Sequence, residues 1–78
     1  MSQFRDLETM IEILGHTMAR FEAEEQFFRR SAHASSNEVA QSLFRELADD
    51  MKNYVANLEQ RRRKLLDALE ALSEADKG

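Results

Sequence analysis

Four of the fifteen acidic residues of this sequence could together support metal chemistry. Glu22 and Glu25 lie in the first half of the chain, and Asp49 and Asp50 lie in the second half. Carboxylate oxygens suit hard cations, which bind oxygen ligands alone. A cation site that combines Glu22 or Glu25 with Asp49 or Asp50 is therefore one hypothesis, provided that the fold brings the two halves together.

Glu25 also has a simpler interpretation as one half of an ion pair. It falls where the surrounding pattern places apolar residues, and a buried carboxylate is costly unless it is paired. A salt bridge to an arginine is the preferred interpretation, because polar residues at such positions usually set the register of paired helices. Arg61 is a second charge at an apolar position, and an antiparallel neighbour could bring it near such an acid. The sequence leaves open whether Glu25 and Arg61 are paired or functional.

The composition excludes several other functions. The chain has no cysteine, so a thiolate nucleophile and a thiolate metal site are both ruled out. Its formal net charge is −4, with acids and bases interspersed, and the basic run from Arg61 to Lys64 contains no aromatic residue. A solvated helical surface explains this run better than nucleic-acid binding, which we do not expect.

No targeting or membrane segment is apparent. The N-terminal residues lack the apolar stretch of a secretory signal. No apolar run approaches the about 20 residues that a membrane-spanning helix needs. We therefore expect a cytoplasmic protein without a membrane contact.

Helical periodicity predicts that residues 1–78 form a single domain, a hairpin of two helices. A first helix is predicted over about residues 3–33, a turn over about 33–36, and a second helix over about 36–73. The chain has no proline and only two glycines, so little interrupts either helix. Ser2 is predicted to cap the first helix, and Ser35 with Glu38 three residues later reads as a capping box for the second.

Both helices carry apolar residues at alternating spacings of three and four, as in a coiled coil. The first seam comprises Phe4, Leu7, Ile11, Leu14, Met18, Phe21, Glu25, Phe28 and Ala32. The second seam comprises Ala40, Phe44, Leu47, Met51, Tyr54, Leu58, Arg61, Leu65, Ala68 and Leu72, and Leu43, Val55 and Leu69 widen it.

A short turn forces the two helices to lie antiparallel, and two helices alone leave half of each apolar stripe in water. We therefore expect an all-α helical hairpin that pairs with a second copy into a four-helix bundle. Dimer and tetramer both remain open, and another helical protein is the alternative partner. The predicted interface residues are Phe21, Phe28, Phe44, Leu47, Met51, Tyr54 and Leu58.

Residues 21–58 resemble the rubrerythrin branch of the ferritin-like superfamily. The resemblance comprises the aromatic pair Phe27-Phe28, the small-residue turn that follows it, and the stretch from Leu43 to Asp50. In that family, a glutamate on one helix and a Glu-x-x-His pair on the next bind iron or manganese. The matching positions here are Phe21, Met51 and Tyr54, which are poor ligands for hard cations. The resemblance thus implies a degenerate hairpin that lacks the metal motif.

Two functional hypotheses follow. The first is a non-catalytic structural or interaction protein, a ferritin-like hairpin that oligomerises, has lost the di-metal site and needs no cofactor. The second is an iron-binding ferritin-like protein of the rubrerythrin type, either an oxidoreductase or a metal-storage protein. Its site would use Glu22, Glu25, Asp49 and Asp50 in the assembled bundle. We favour the first hypothesis, which is not an enzyme, while the second leaves an enzyme open.

Overall fold

The computed structural model describes residues 2–77 as two long α-helices packed side by side in opposite directions. Helix α1 spans Gln3–Ala34, helix α2 spans Glu38–Lys77, and residues 35–37 join them. No strand occurs among these residues. The predicted all-α antiparallel hairpin is therefore confirmed, while Met1 and Gly78, the ends of the predicted domain, lie outside the described residues.

The start of α1 follows the prediction. Ser2 has an extended backbone, and its hydroxyl oxygen accepts a hydrogen bond from the backbone N–H of Arg5 at 3.1 Å. Asp6 lies in the first turn, where the exposed N–H groups of the helix favour negative charge. One side-chain oxygen therefore satisfies one of the free donors with which every α-helix begins.

The start of α2 differs from the prediction. Asn37 caps this helix, because its side-chain oxygen accepts from the backbone N–H of Ala40 at 3.0 Å. Ser35 is the C-cap of α1, and its N–H donates to the carbonyl of Ser31 at 3.0 Å. The predicted capping box of Ser35 and Glu38 is thus wrong, since Ser35 already ends the preceding helix.

The helix bounds move accordingly. Helix α2 begins at residue 38 instead of 36, and it extends to Lys77, four residues beyond the predicted end at 73. The extension covers residues 74–77, which include Glu74 and Ala75, both good helix formers, and no proline or glycine precedes Gly78. Helix α1 ends at Ala34, one residue beyond the predicted end.

The predicted seam of α1 is confirmed as the face that packs on α2. Each of its nine residues is buried or half-buried. Phe28 stacks on Phe44 with ring centroids 6.4 Å apart. The only buried residues in the described part of the chain are Met18, Ala32 and Ala48, so the hairpin has almost no interior of its own.

The seam of α2 is only half as predicted. Residues seven apart on a helix form rows, and two rows of α2 are buried or half-buried along their whole length. The Phe44 row comprises Phe44, Met51, Leu58, Leu65 and Leu72. The Gln41 row comprises Gln41, Ala48, Val55, Arg62 and Leu69.

The remaining half of the predicted α2 seam lies beside the contact with α1. This Leu47 row comprises Ala40, Leu47, Tyr54, Arg61 and Ala68, of which only Ala40 is not exposed. Arg61 is therefore outside the helix contact, and Arg62 occupies it, 3.7 Å from Glu59. Helix α2 thus has three adjacent rows of largely apolar residues, and α1 covers two of them.

The hairpin exposes more surface than a compact protein of its size. Its accessible area is 6115 Å², whereas a globular monomer of this mass exposes about 4,900 Å². Its radius of gyration is 17.8 Å, whereas a compact chain of this length has a radius of about 11.5 Å. An excess of about 1,200 Å² therefore remains available for contact with something else.

Replacing Asn37 with alanine tests the cap of α2. We expect Asn37→Ala to lower the free energy of unfolding by about 1 kcal/mol, because the N–H of Ala40 loses its acceptor. Ser36→Ala is the matched control, since Ser36 is an exposed residue of the same turn. Urea unfolding followed by circular dichroism measures both. Equal effects of the two substitutions would contradict the assignment of Asn37 as the cap.

Candidate interaction surface

Six of the eight exposed large apolar side chains in the described part of the chain lie on one face of the hairpin, and Val39 and Leu66 lie outside it. Phe21 of α1 contacts Tyr54 of α2, with ring centroids 5.9 Å apart, and this contact marks the face. The rows next to these two residues on each helix must point the same way, because side chains three and four residues apart share a helical surface. We call this surface the apolar face; its exposed large residues are Met10, Ile13, Phe27, Leu43, Leu47 and Tyr54.

A shallow groove lies near the middle of the apolar face. It is lined by Phe21, Tyr54, Asn57, Leu58 and Arg61 and has a volume of about 320 Å³. Tyr54 is 53% exposed, so its ring packs on Phe21 with one side only. The groove therefore combines aromatic and aliphatic walls with an amide and a guanidinium, a mixture common at protein interfaces.

The opposite face is polar. Arg29 reaches across it to Asp49, with Nη2 3.3 Å from the carboxylate oxygen. A small cavity of about 130 Å³ nearby is lined by Arg29, Ala32, His33 and Arg45. Leu66 is one of the few large apolar residues exposed outside the apolar face. We call this surface the polar face.

The seven predicted interface residues divide into two groups. Phe21, Phe28, Phe44, Met51 and Leu58 are half-buried between the two helices, where they face their own hairpin and border the apolar face. Leu47 and Tyr54 are exposed, at 39% and 53%. The first group thus holds the hairpin together, and the second group is free to contact another molecule.

The four acids of the cation-site hypothesis do not converge. Glu25 and Asp49 both bind Arg29, at 2.8 and 3.3 Å, while Glu22 and Asp50 are exposed. Among residues 2–75, no three histidine or acidic side chains come close enough together to hold a metal ion. The hydrogen bond to Glu25 raises the pKa of the Arg29 guanidinium above its ordinary value. A permanent cation therefore already occupies the space between these two carboxylates.

The preferred interpretation of Glu25 as an ion-pair partner is confirmed, and Arg29 is the partner. The sequence contains the signal for this pair, because an acid four residues before an arginine lies next to it on a helix. The link from Arg29 to Asp49 depends on how α1 and α2 align, so the sequence alone does not reveal it.

Comparison with known proteins adds no relative. No protein-family model, no curated protein and no solved structure matches this chain. Neither helix of the described chain is long and apolar enough to cross a membrane. The surface itself is therefore the basis for a functional interpretation.

Gly15 tests the assignment of the two faces. It shares a heptad row with Glu22 and Arg29 on the polar face, and a Cβ atom built on it meets nothing within 4 Å. We expect Gly15→Ala to raise the free energy of unfolding by roughly 0.5–1 kcal/mol, because alanine is the better helix former. Denaturant unfolding measures the change. Destabilisation, or a smaller particle mass, would mean that another helix approaches closely at Gly15.

Proposed function

We propose that this protein is a non-catalytic structural or interaction protein whose hairpin pairs with a second copy through the apolar face. The observation that carries this proposal is the segregation of exposed apolar side chains. Six large apolar residues share one face, and the other face is lined with charges and ion pairs. Contiguous apolar surface of this kind marks an interaction site in a folded protein.

The size of the surface supports the same proposal. The hairpin exposes about 1,200 Å² more than a compact protein of its mass, and a stable interface buries about 800 Å² on each partner. Pairing two hairpins through the apolar face gives each helix two neighbours, which is the arrangement of a four-helix bundle. One two-fold axis then covers both stripes without requiring a different protein.

The ferritin-like resemblance belongs to this proposal as a description of form. At the three positions where rubrerythrins place metal ligands, the chain has Phe21, Met51 and Tyr54. Phe21 and Tyr54 pack on each other, and Met51 is half-buried between the helices. These side chains serve packing, so we interpret the chain as a degenerate ferritin-like hairpin. Its cytoplasmic location stays a prediction from the sequence.

Two leucines of equal exposure test the proposal. Leu47 lies on the apolar face and is 39% exposed, and Leu66 lies outside it and is 40% exposed. We expect Leu47→Ser to raise the dissociation constant of the dimer roughly thirtyfold, since each copy loses about 1 kcal/mol of apolar burial. Leu66→Ser is the matched control and should leave the constant within about threefold of the wild-type value.

Analytical ultracentrifugation over a range of concentrations measures these constants. Equal weakening by both substitutions would mean that serine acts by loosening the hairpin. A wild-type protein that stays monomeric at every concentration would contradict the proposal itself.

Metal content tests the alternative of an iron protein. Because Arg29 occupies the space between Glu25 and Asp49, we expect protein purified without chelators to contain no stoichiometric iron or manganese. Elemental analysis of the wild type and of Glu25→Gln measures this. Stoichiometric metal in the wild type that disappears in Glu25→Gln would contradict the assignment of Glu25 to an ion pair.

A further inference from the structure

We propose that the second copy docks antiparallel, with its turn at the opposite end, so that α2 lies along α2 of the partner and the two-fold axis passes beside Asn57. This inference rests on the proposed function and specifies its geometry. The distribution of residues along the exposed side of α2 carries it. The occupant of the apolar face is then a second copy of this chain in one defined orientation.

Two hairpins can join through one face in two symmetric ways. If the two-fold axis runs along the helices, the turns lie at the same end and α1 neighbours the partner's α2. If the axis is perpendicular to the helices, the turns lie at opposite ends, and each helix packs beside the same helix of the partner. We call this the crossed arrangement. A two-fold interface must be self-complementary, so the residues on the exposed side of α2 can distinguish these arrangements.

Asn57 stands at the natural centre for the crossed arrangement. It is one of the two central residues of α2, which spans Glu38–Lys77, so pairing about Asn57 overlaps the two helices along their full length. It belongs to an exposed row beside the Leu47 row that comprises Leu43, Asp50, Asn57, Lys64 and Ala71. Two asparagine side chains that meet at an axis can donate to and accept from each other.

Charge and size are complementary about this centre. Asp50 and Lys64 stand seven residues before and after Asn57, so each Asp50 faces the partner's Lys64. Leu43 and Ala71 stand fourteen residues on either side, so a large side chain faces a small one. In the Leu47 row, Leu47 faces the partner's Ala68 in the same way. One row thus pairs unlike charges, and both rows pair large residues with small ones.

The groove on the apolar face lies beside Asn57, where the crossed arrangement places a side chain of the partner. Tyr54 and Arg61 stand three and four residues from Asn57 on opposite sides, so each Tyr54 faces the partner's Arg61. The groove that Phe21, Leu58 and Arg61 help to line receives that tyrosine ring. A guanidinium over a phenol ring is a favourable contact, and both copies make it.

The arrangement with both turns at one end lacks this complementarity. Phe21 is level with Tyr54 in the hairpin, so each α1 would meet the partner's α2 at the same heights. Glu24 would then lie against the partner's Asp50, and like charges at close range are unfavourable. Ile13 would lie near the partner's Arg61. The crossed arrangement avoids both contacts.

Pulsed electron–electron resonance between spin labels at the turns tests the orientation. The chain has no cysteine, so Ser36→Cys provides one labelling site for each copy, at an exposed turn residue. We expect a distance of about 60 Å, because the turn lies some 21 residues of helix from the centre on each side. A distance below about 25 Å would overturn the orientation while leaving a dimer in place, since neighbouring helices lie about 10 Å apart. A monomeric mass for the labelled protein would instead overturn the proposed function.

A charge exchange tests the contact between Asp50 and the partner's Lys64. We expect Asp50→Lys to raise the dissociation constant of the dimer roughly tenfold, through two repelling pairs. Adding Lys64→Asp to the same chain should restore the constant to near its wild-type value. Glu46→Lys makes the same change of net charge at an exposed residue away from the apolar face, and it should have little effect. Combined with Lys64→Asp, it should weaken the dimer about as much as Asp50→Lys does, because Lys64→Asp then places two carboxylates opposite each other. Failure of the double variant to recover would contradict the pairing.

Discussion

A hairpin of two helices gives each helix only one neighbour, and the rest of this structure depends on that constraint. A helix in a bundle uses about three rows of apolar residues, because it packs on two neighbours at once. Helix α2 has those three rows, yet α1 covers only two of them. The uncovered Leu47 row, the scarcity of buried residues and the large accessible area all follow from the missing neighbour.

The charged residues are arranged consistently with this asymmetry. Arg29 links Glu25 to Asp49 on the polar face, where the pair reinforces the register of α1 against α2 without crowding the apolar face. Exposed ion pairs of this kind add little to stability, so their contribution lies mainly in alignment. Arg62 is less well placed. Its buried Nε has no hydrogen-bond partner, although Nη1 lies 3.7 Å from Glu59. Such a polar interruption weakens the packing between α1 and α2.

Much of this fold could be predicted from the sequence, because local signals dominate it. In α1, the alternating spacing of three and four selects a single stripe of almost entirely apolar residues, and this stripe is the face that packs on α2. Two features could not be predicted from local signals. Ser35, Ser36 and Asn37 are all good capping residues, and only the C-cap role of Ser35 leaves Asn37 to begin α2. The three rows of α2 are similarly apolar, so the pair that faces α1 is decided by tertiary packing. For the candidate site, the sequence identified Leu47 and Tyr54 and the pairing of Glu25, but not the face that they share or the link to Asp49.

Small-angle scattering with absolute intensities, over a range of concentrations, is the sharpest test of pairing between two hairpins, because it returns mass and dimensions together. We expect a particle of twice 9.1 kDa whose cross-section is clearly thicker than the 17 by 13 Å of the single hairpin. A particle of 9.1 kDa with a radius of gyration near 17.8 Å at every concentration, still fully helical, would contradict this pairing. In that case, the apolar face would remain open in the folded protein.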